Sequence, residues 1–107
     1  MHDRLTQVHL PEDAIRAFCQ RWNIREMALF GSVLREDFSE ASDIDVLVDF
    51  GPDRRYSLST LVQMGDELEL IFGRSVDLID RRAIEQSQNH IRREIILQSA
   101  QVIYAEQ

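Results

Sequence analysis

A single cysteine, Cys19, leaves this chain without an internal disulfide. No stretch approaches the roughly 18 consecutive apolar residues that mark a membrane span, and Met1-His2-Asp3-Arg4 lacks the basic-then-apolar order of a secretion signal. The expected compartment is therefore the cytoplasm, where thiols stay reduced. Lysine is absent altogether: the twelve basic residues are all arginine, set against nineteen acids, and the net charge is −7. Duplex nucleic acid is held mainly by neutralising its phosphates, so this balance argues against an extended nucleic-acid surface. It leaves open a single nucleotide held through bound cations, which bring their own positive charge.

The 107 residues suit one domain, with enough chain to bury a core without metal or disulfide staples, and no repeat, low-complexity tract or linker divides them. Pro11 to Trp22 carries Ile15, Phe18, Cys19 and Trp22 at helical spacing, with Pro11 suited to a first turn. Met27 to Phe30 is a short apolar run ending at Gly31 and predicts a buried strand. A short helix is expected over Ser32 to Asp37. Asp43 to Phe50 predicts a second strand, with Ile44, Val46, Val48 and Phe50 on one face and Asp43, Asp45, Leu47 and Asp49 on the other. Gly51-Pro52-Asp53 signals a turn.

A long helix is expected from Ser57 or Leu58 to Phe72, with Leu61, Leu68 and Phe72 on one stripe and Gly73 as its stop. Ser75 to Ile79 predicts a third strand, Ser87 to Ser99 a last helix with Ile91, Ile95 and Ile96 inward, and Gln101 to Ala105 a closing strand. The sum is an α/β (α+β) fold: one domain over 1–107, with a small mixed sheet of three to four strands flanked by helices and carrying Asp43, Asp45 and Asp77.

The chemistry concentrates in "LFGSVLREDFSEASDIDVLVDF", residues 29 to 50. Residues i and i+2 of a strand share a face about 7 Å apart, so Asp43 and Asp45 can reach a common cation. A carboxylate from an adjacent strand completes a site for two divalent ions, and oxygen-only donors suit Mg²⁺ or Mn²⁺ rather than Zn²⁺. Gly31 lets backbone approach a phosphate, and the N–H groups after it, with the Ser32 hydroxyl, favour anionic oxygens. Taken singly, Asp43 reads as a turn cap and Asp45 as a solvated edge residue. A Gly-Ser pair, ten residues, Asp-Ile-Asp entering a strand and a later strand-borne Asp77 form a far more specific pattern. An EF-hand loop is excluded, because its later ligands would fall on Leu47 and Val48 and its glycine is missing. A sugar-nucleotide fold needs more chain.

That stretch, followed by "GRSVDLID", resembles the minimal nucleotidyltransferases of the polymerase-β-like superfamily, over roughly Met27 to Tyr104. The resemblance implies the polymerase-β-like nucleotidyltransferase fold and transfer of AMP from ATP with two Mg²⁺ ions (Mn²⁺ as a substitute). It further implies Asp43, Asp45 and Asp77 as catalytic, metal-binding acids, and Gly31, Ser32 and Arg35 as nucleotide-binding residues. Arg35 matches the basic residue that commonly follows Gly-Ser, although Leu34-Arg35-Glu36 departs from the family's frequent Ala-Arg-Gly. Members of this size often act as antitoxins beside a HEPN-domain toxin, some by placing AMP on a toxin tyrosine. A hetero-oligomer with such a toxin is thus the expected assembly.

Two rivals remain: an antitoxin that works by contact alone, and a small-molecule transferase. The three acids argue against the first, and the lack of room for a second domain to hold a small acceptor argues against the other. Elsewhere the ordinary readings prevail. Cys19 and Trp22 are expected in the core, Tyr104 as a packing residue, Asp49 as solvated and Asp80 as a loop acid. Arg54-Arg55 and Arg92-Arg93 are expected on solvated faces, and His2, His9 and His90 lie too far apart in sequence for a metal site.

Overall fold

The computed structural model describes residues 10–31 and 42–106. Helix α1 (Glu12–Arg21) opens behind Pro11, which occupies the capping position rather than the first turn; Glu12 and Asp13 complement the positive end of the helix. Strand β1 (Glu26–Phe30) follows, then β2 (Ile44–Asp49), with Asp43 and Phe50 just outside the latter. The short helix expected over Ser32 to Asp37 falls outside the described residues.

Helix α2 (Leu58–Phe72) begins and ends where its sequence signals stand. The Ser57 side chain accepts a hydrogen bond from the Thr60 N–H, and Gly73 closes the helix at φ 73°, the left-handed conformation that glycine adopts without steric cost. Met64 and Leu68 are its buried residues. Leu61 and Phe72 pack against the core from partly buried positions.

Strand β3 (Val76–Asp80) runs directly into a short helix, α3 (Arg81–Glu85), that the sequence pattern does not predict. Asp80 is therefore no loop acid. It ends the strand and caps the helix, its carboxylate accepting from the Arg82 N–H at 2.9 Å. The last helix, α4, spans His90–Ser99, three residues later than expected, because the Asn89 side chain caps it through the Arg92 N–H. Strand β4 (Gln101–Ala105) closes the described chain where the pattern placed it.

The four strands form one mixed sheet in the order β3-β2-β1-β4, in which β2 and β3 are parallel and the other neighbours antiparallel. Parallel neighbours need a crossover connection, and α2 supplies it. Leu47, on the face of β2 opposite Val46 and Val48 as the alternation predicts, is buried as well. Met27, Ala28, Leu29 and Phe30 in β1, and Val46, Leu47 and Val48 in β2, are all buried, so both faces of the central strands are covered. The inward face of α4 is corrected: Ile96 is 6% exposed, but Ile91 and Ile95 are 75% and 60% exposed. Trp22 is only partly buried. Its indole N–H donates to Glu67 Oε2 at 2.9 Å, its carbonyl accepts from the Tyr56 hydroxyl, and Arg21 also pairs with Glu67, tying α1 to α2.

Candidate active site

A parallel register sets the centre of the site. Ile44 stands opposite Val76 and Asp45 opposite Asp77, so the aspartates of β2 and β3 meet at one level of the sheet. The start of β3 is held from two sides: the Ser75 carbonyl accepts from the Ile44 N–H at 2.9 Å, and Glu69 of α2 accepts from the Val76 N–H at 3.1 Å. Asp43 lies two residues before Asp45, immediately ahead of β2. On the other side of β2, Phe30 ends β1 opposite Asp45, and Gly31 follows at φ 76°. Asp43 and Asp77 are exposed and Asp45 is half-buried, an arrangement that leaves the carboxylates accessible to water and ligand.

Four of the six residues singled out from the sequence, Gly31, Asp43, Asp45 and Asp77, therefore gather at one end of the sheet. Ser32 and Arg35 lie outside the described residues. Among the described residues, no group of three or more His, Cys, Asp or Glu side chains closes on a single metal-sized point. The three acids are neighbours by backbone placement, and their carboxylates must turn toward one another to share an ion. Their donor chemistry fits a hard divalent cation, since all the oxygens come from carboxylates. The absent side chain of Gly31 leaves a hollow against which the Asp45 carboxylate lies.

Glu69 escaped the sequence reading. Its bond to Val76 spans the turn at Gly73 and has no periodic signature; only the fold brings the two together. A cavity of about 450 Å³ lies instead at the far end of β2, bordered by Asp49, Gly51, Arg25, Arg55, Asp80 and Arg82. Arg82 donates to the Gly51 carbonyl there, and Asp49 accepts from the Gly51 N–H, so Asp49 is a half-buried turn acceptor rather than a merely solvated acid. Cys19 is fully buried, and that burial pushes its thiol up to about 12, which suits a packing residue and not a nucleophile.

A family model described as a nucleotidyltransferase domain matches residues 12–103. Among curated proteins, the protein adenylyltransferase MntA of Thermococcus cleftensis is 35% identical over 66 residues, which cover 62% of this chain and 65% of that protein. The chain spans just under two thirds of the length of the first curated relatives it matches. A solved structure assigned as a minimal nucleotidyltransferase superposes with a TM-score of 0.66 at 29% identity, over 92% of this chain and 95% of that one. A chain from the complex of tri-AMPylated Shewanella oneidensis HEPN toxin with its MNT antitoxin superposes with a TM-score of 0.61. That match covers 89% of this chain and 70% of the other at 18% identity, a likeness of fold alone.

Proposed function

The chain belongs to the nucleotidyltransferase domain family, and from that premise we propose that it transfers AMP from ATP to a tyrosine hydroxyl of a separate HEPN-domain toxin. In this reading residues 1–107 work as one catalytic domain within a hetero-oligomer, and the chain is the toxin's antitoxin. The observation that carries the proposal is the pairing of Asp45 with Asp77 across β2 and β3, with Asp43 and Gly31 at the same end of the sheet. The adenylyltransferase relative and the AMPylated-toxin complex support the nucleotide and the acceptor.

Asp43 and Asp45 would together hold two Mg²⁺ ions, and Asp77 would join them at the ion nearer the acceptor. When bound, such ions neutralise the triphosphate and lower the pKa of the attacking hydroxyl. Gly31, Ser32 and Arg35 would hold the triphosphate, the first two through close backbone approach and the serine hydroxyl, the third through its guanidinium. The tyrosine oxygen forms a bond to the α-phosphorus while the bond to the bridging oxygen breaks. Pyrophosphate leaves, and Asp77 would take the tyrosine proton. Exposure of Asp43 and Asp77 suits an acceptor delivered by another protein, because a bulky partner must reach the acids from solvent.

The deciding experiment incubates the chain with labelled ATP, Mg²⁺ and the candidate toxin, then removes the chain and measures the toxin's mass and activity. The expected result is toxin carrying AMP on tyrosine and remaining inactive after separation. Toxin that regains full activity with unchanged mass would point to neutralisation by contact. Label appearing only on a low-mass product would point to a small-molecule transferase.

A further inference from the structure

A glycine ahead of a serine at a strand end is ordinarily understood as room for a phosphate. Here the space beside the glycine holds part of the protein itself. A β-carbon placed on Gly31 would lie 2.1 Å from Asp45 Oδ2, 3.0 Å from its Cγ and 3.4 Å from its Cβ. The first distance is far inside van der Waals contact, and the second requires the neighbour to give by a few tenths of an ångström. The Asp45 carboxylate thus rests over the bare α-carbon of Gly31, on the β1 side of its strand, while Asp77 flanks it on the β3 side.

We infer that Gly31 is a positioning residue for Asp45: the side chain it lacks is the space that the Asp45 carboxylate occupies. The functional weight of this inference rests on the proposed role of Asp45 as a cation ligand; the contact itself does not. Strand β2 cannot move aside to admit a larger residue, because Ile44 and Val46, on either side of Asp45, are fully buried. With β2 pinned, a methyl group at position 31 must displace the carboxylate or the backbone that follows β1. Replacement therefore has two separable costs. The positive φ of Gly31 disfavours any L side chain whatever stands at position 45. The clash with Oδ2 and Cγ exists only while position 45 is aspartate.

A double-mutant cycle separates them: the single variants Gly31→Ala and Asp45→Ala, the double variant and the parent are melted in metal-free buffer. Alanine at position 45 removes Oδ2 and Cγ and leaves only the ordinary 3.4 Å contact. Gly31→Ala is expected to lower Tm by about 5 °C more in the parent than in the Asp45→Ala background. Equal falls in the two backgrounds overturn the inference, since backbone strain then accounts for the whole cost. A Gly31→Ala protein that folds only when Asp45 is also replaced supports it most strongly. Failure of both to fold overturns it, because the φ requirement alone is then decisive.

Mn²⁺ titration of the same proteins, read by electron paramagnetic resonance, gives a second measure. The parent is expected to bind at least about tenfold more tightly than Gly31→Ala, a difference of about 1.4 kcal/mol. A positive thermal coupling with unchanged Mn²⁺ affinity would uphold the contact and overturn the metal role proposed for Asp45. The failure of one reading is thereby distinguishable from the failure of the other.

Discussion

Asp45 and Asp77 stand directly opposite each other across the parallel strands β2 and β3. Neighbouring strands run roughly 4.8 Å apart, so backbone pairing sets the two aspartates side by side, and a turn of their side chains brings the negative charges together. Like charges at short range oppose folding unless a cation or proton intervenes. Asp45→Asn preserves shape and removes one charge. Transfer to the partner should fall at least about a hundredfold, while the metal-free protein keeps its Tm or gains a few degrees. Mass spectrometry of the partner and thermal melts check both halves, and near-normal transfer at saturating Mg²⁺ would remove Asp45 from the site.

Ligand linkage gives an independent check that needs no partner. A ligand that binds only the folded state at a hundredfold excess over its Kd adds about 2.7 kcal/mol, several degrees of Tm for a chain of this length. Mg²⁺ with ATP is expected to produce that rise, and ATP in EDTA a much smaller one. Equal shifts with and without the cation would mean that the acids do not act through metal.

The legible parts of the fold are those that local chemistry governs. Ser57 and Gly73 bracket α2 because capping and left-handed closure are single-residue effects. Asp45 and Asp77 were identifiable because strand periodicity and motif spacing mark them, but their direct pairing depends on how the α2 crossover sets β3 beside β2. Helix α3 was not legible, since five residues are too few for a period and its signal, Asp80, reads equally well as a loop acid. The support given by Glu69 to Val76 and the contact between Gly31 and Asp45 join residues with no local relationship in sequence.

Acidity should test the tie between α1 and α2. The Trp22 indole N–H holds the Glu67 carboxyl below its ordinary value of 4.5; partial burial works against this, and Arg21 adds to the lowering. A carboxyl with a depressed folded-state pKa contributes stability above its unfolded pKa and loses it as pH falls through the folded value. The Glu67 contribution should therefore be complete near neutrality and fade below about pH 4.5. Glu67→Gln should lower Tm at pH 7 and narrow its gap from the parent as pH approaches 3. A gap constant across melts from pH 3 to 7 would dissociate Glu67 from the acid response.

Three isoleucines of α4 offer a graded comparison within ten residues. Ile96 is buried, so Ile96→Ala should cost roughly 2–5 kcal/mol through lost burial and the cavity left behind. Ile91 and Ile95 stand mostly in solvent, so Ile91→Ser or Ile95→Ser should shift stability by no more than about 0.5 kcal/mol. Urea titration of the isolated chain measures all three. A large loss at Ile91 would mean that the helix turns a different side to the core.

Strand β1 is the middle member of an antiparallel trio, bonded to β2 on one side and to β4 on the other, with Met27 opposite Val48 and also opposite Tyr104. The first of these partners leaves the ribosome soon after β1; the second follows only after β3, α3 and α4 have been made. Sheet completion thus waits for β4, and pairings so distant along the chain form slowly. A nascent chain stalled before Gln101 should hold a β1 edge whose backbone groups on the β4 side are unmatched, a surface suited to chaperone capture or to aggregation. Dye binding that vanishes only when the length reaches Ala105 would reveal β4 as the fastening that shields β1.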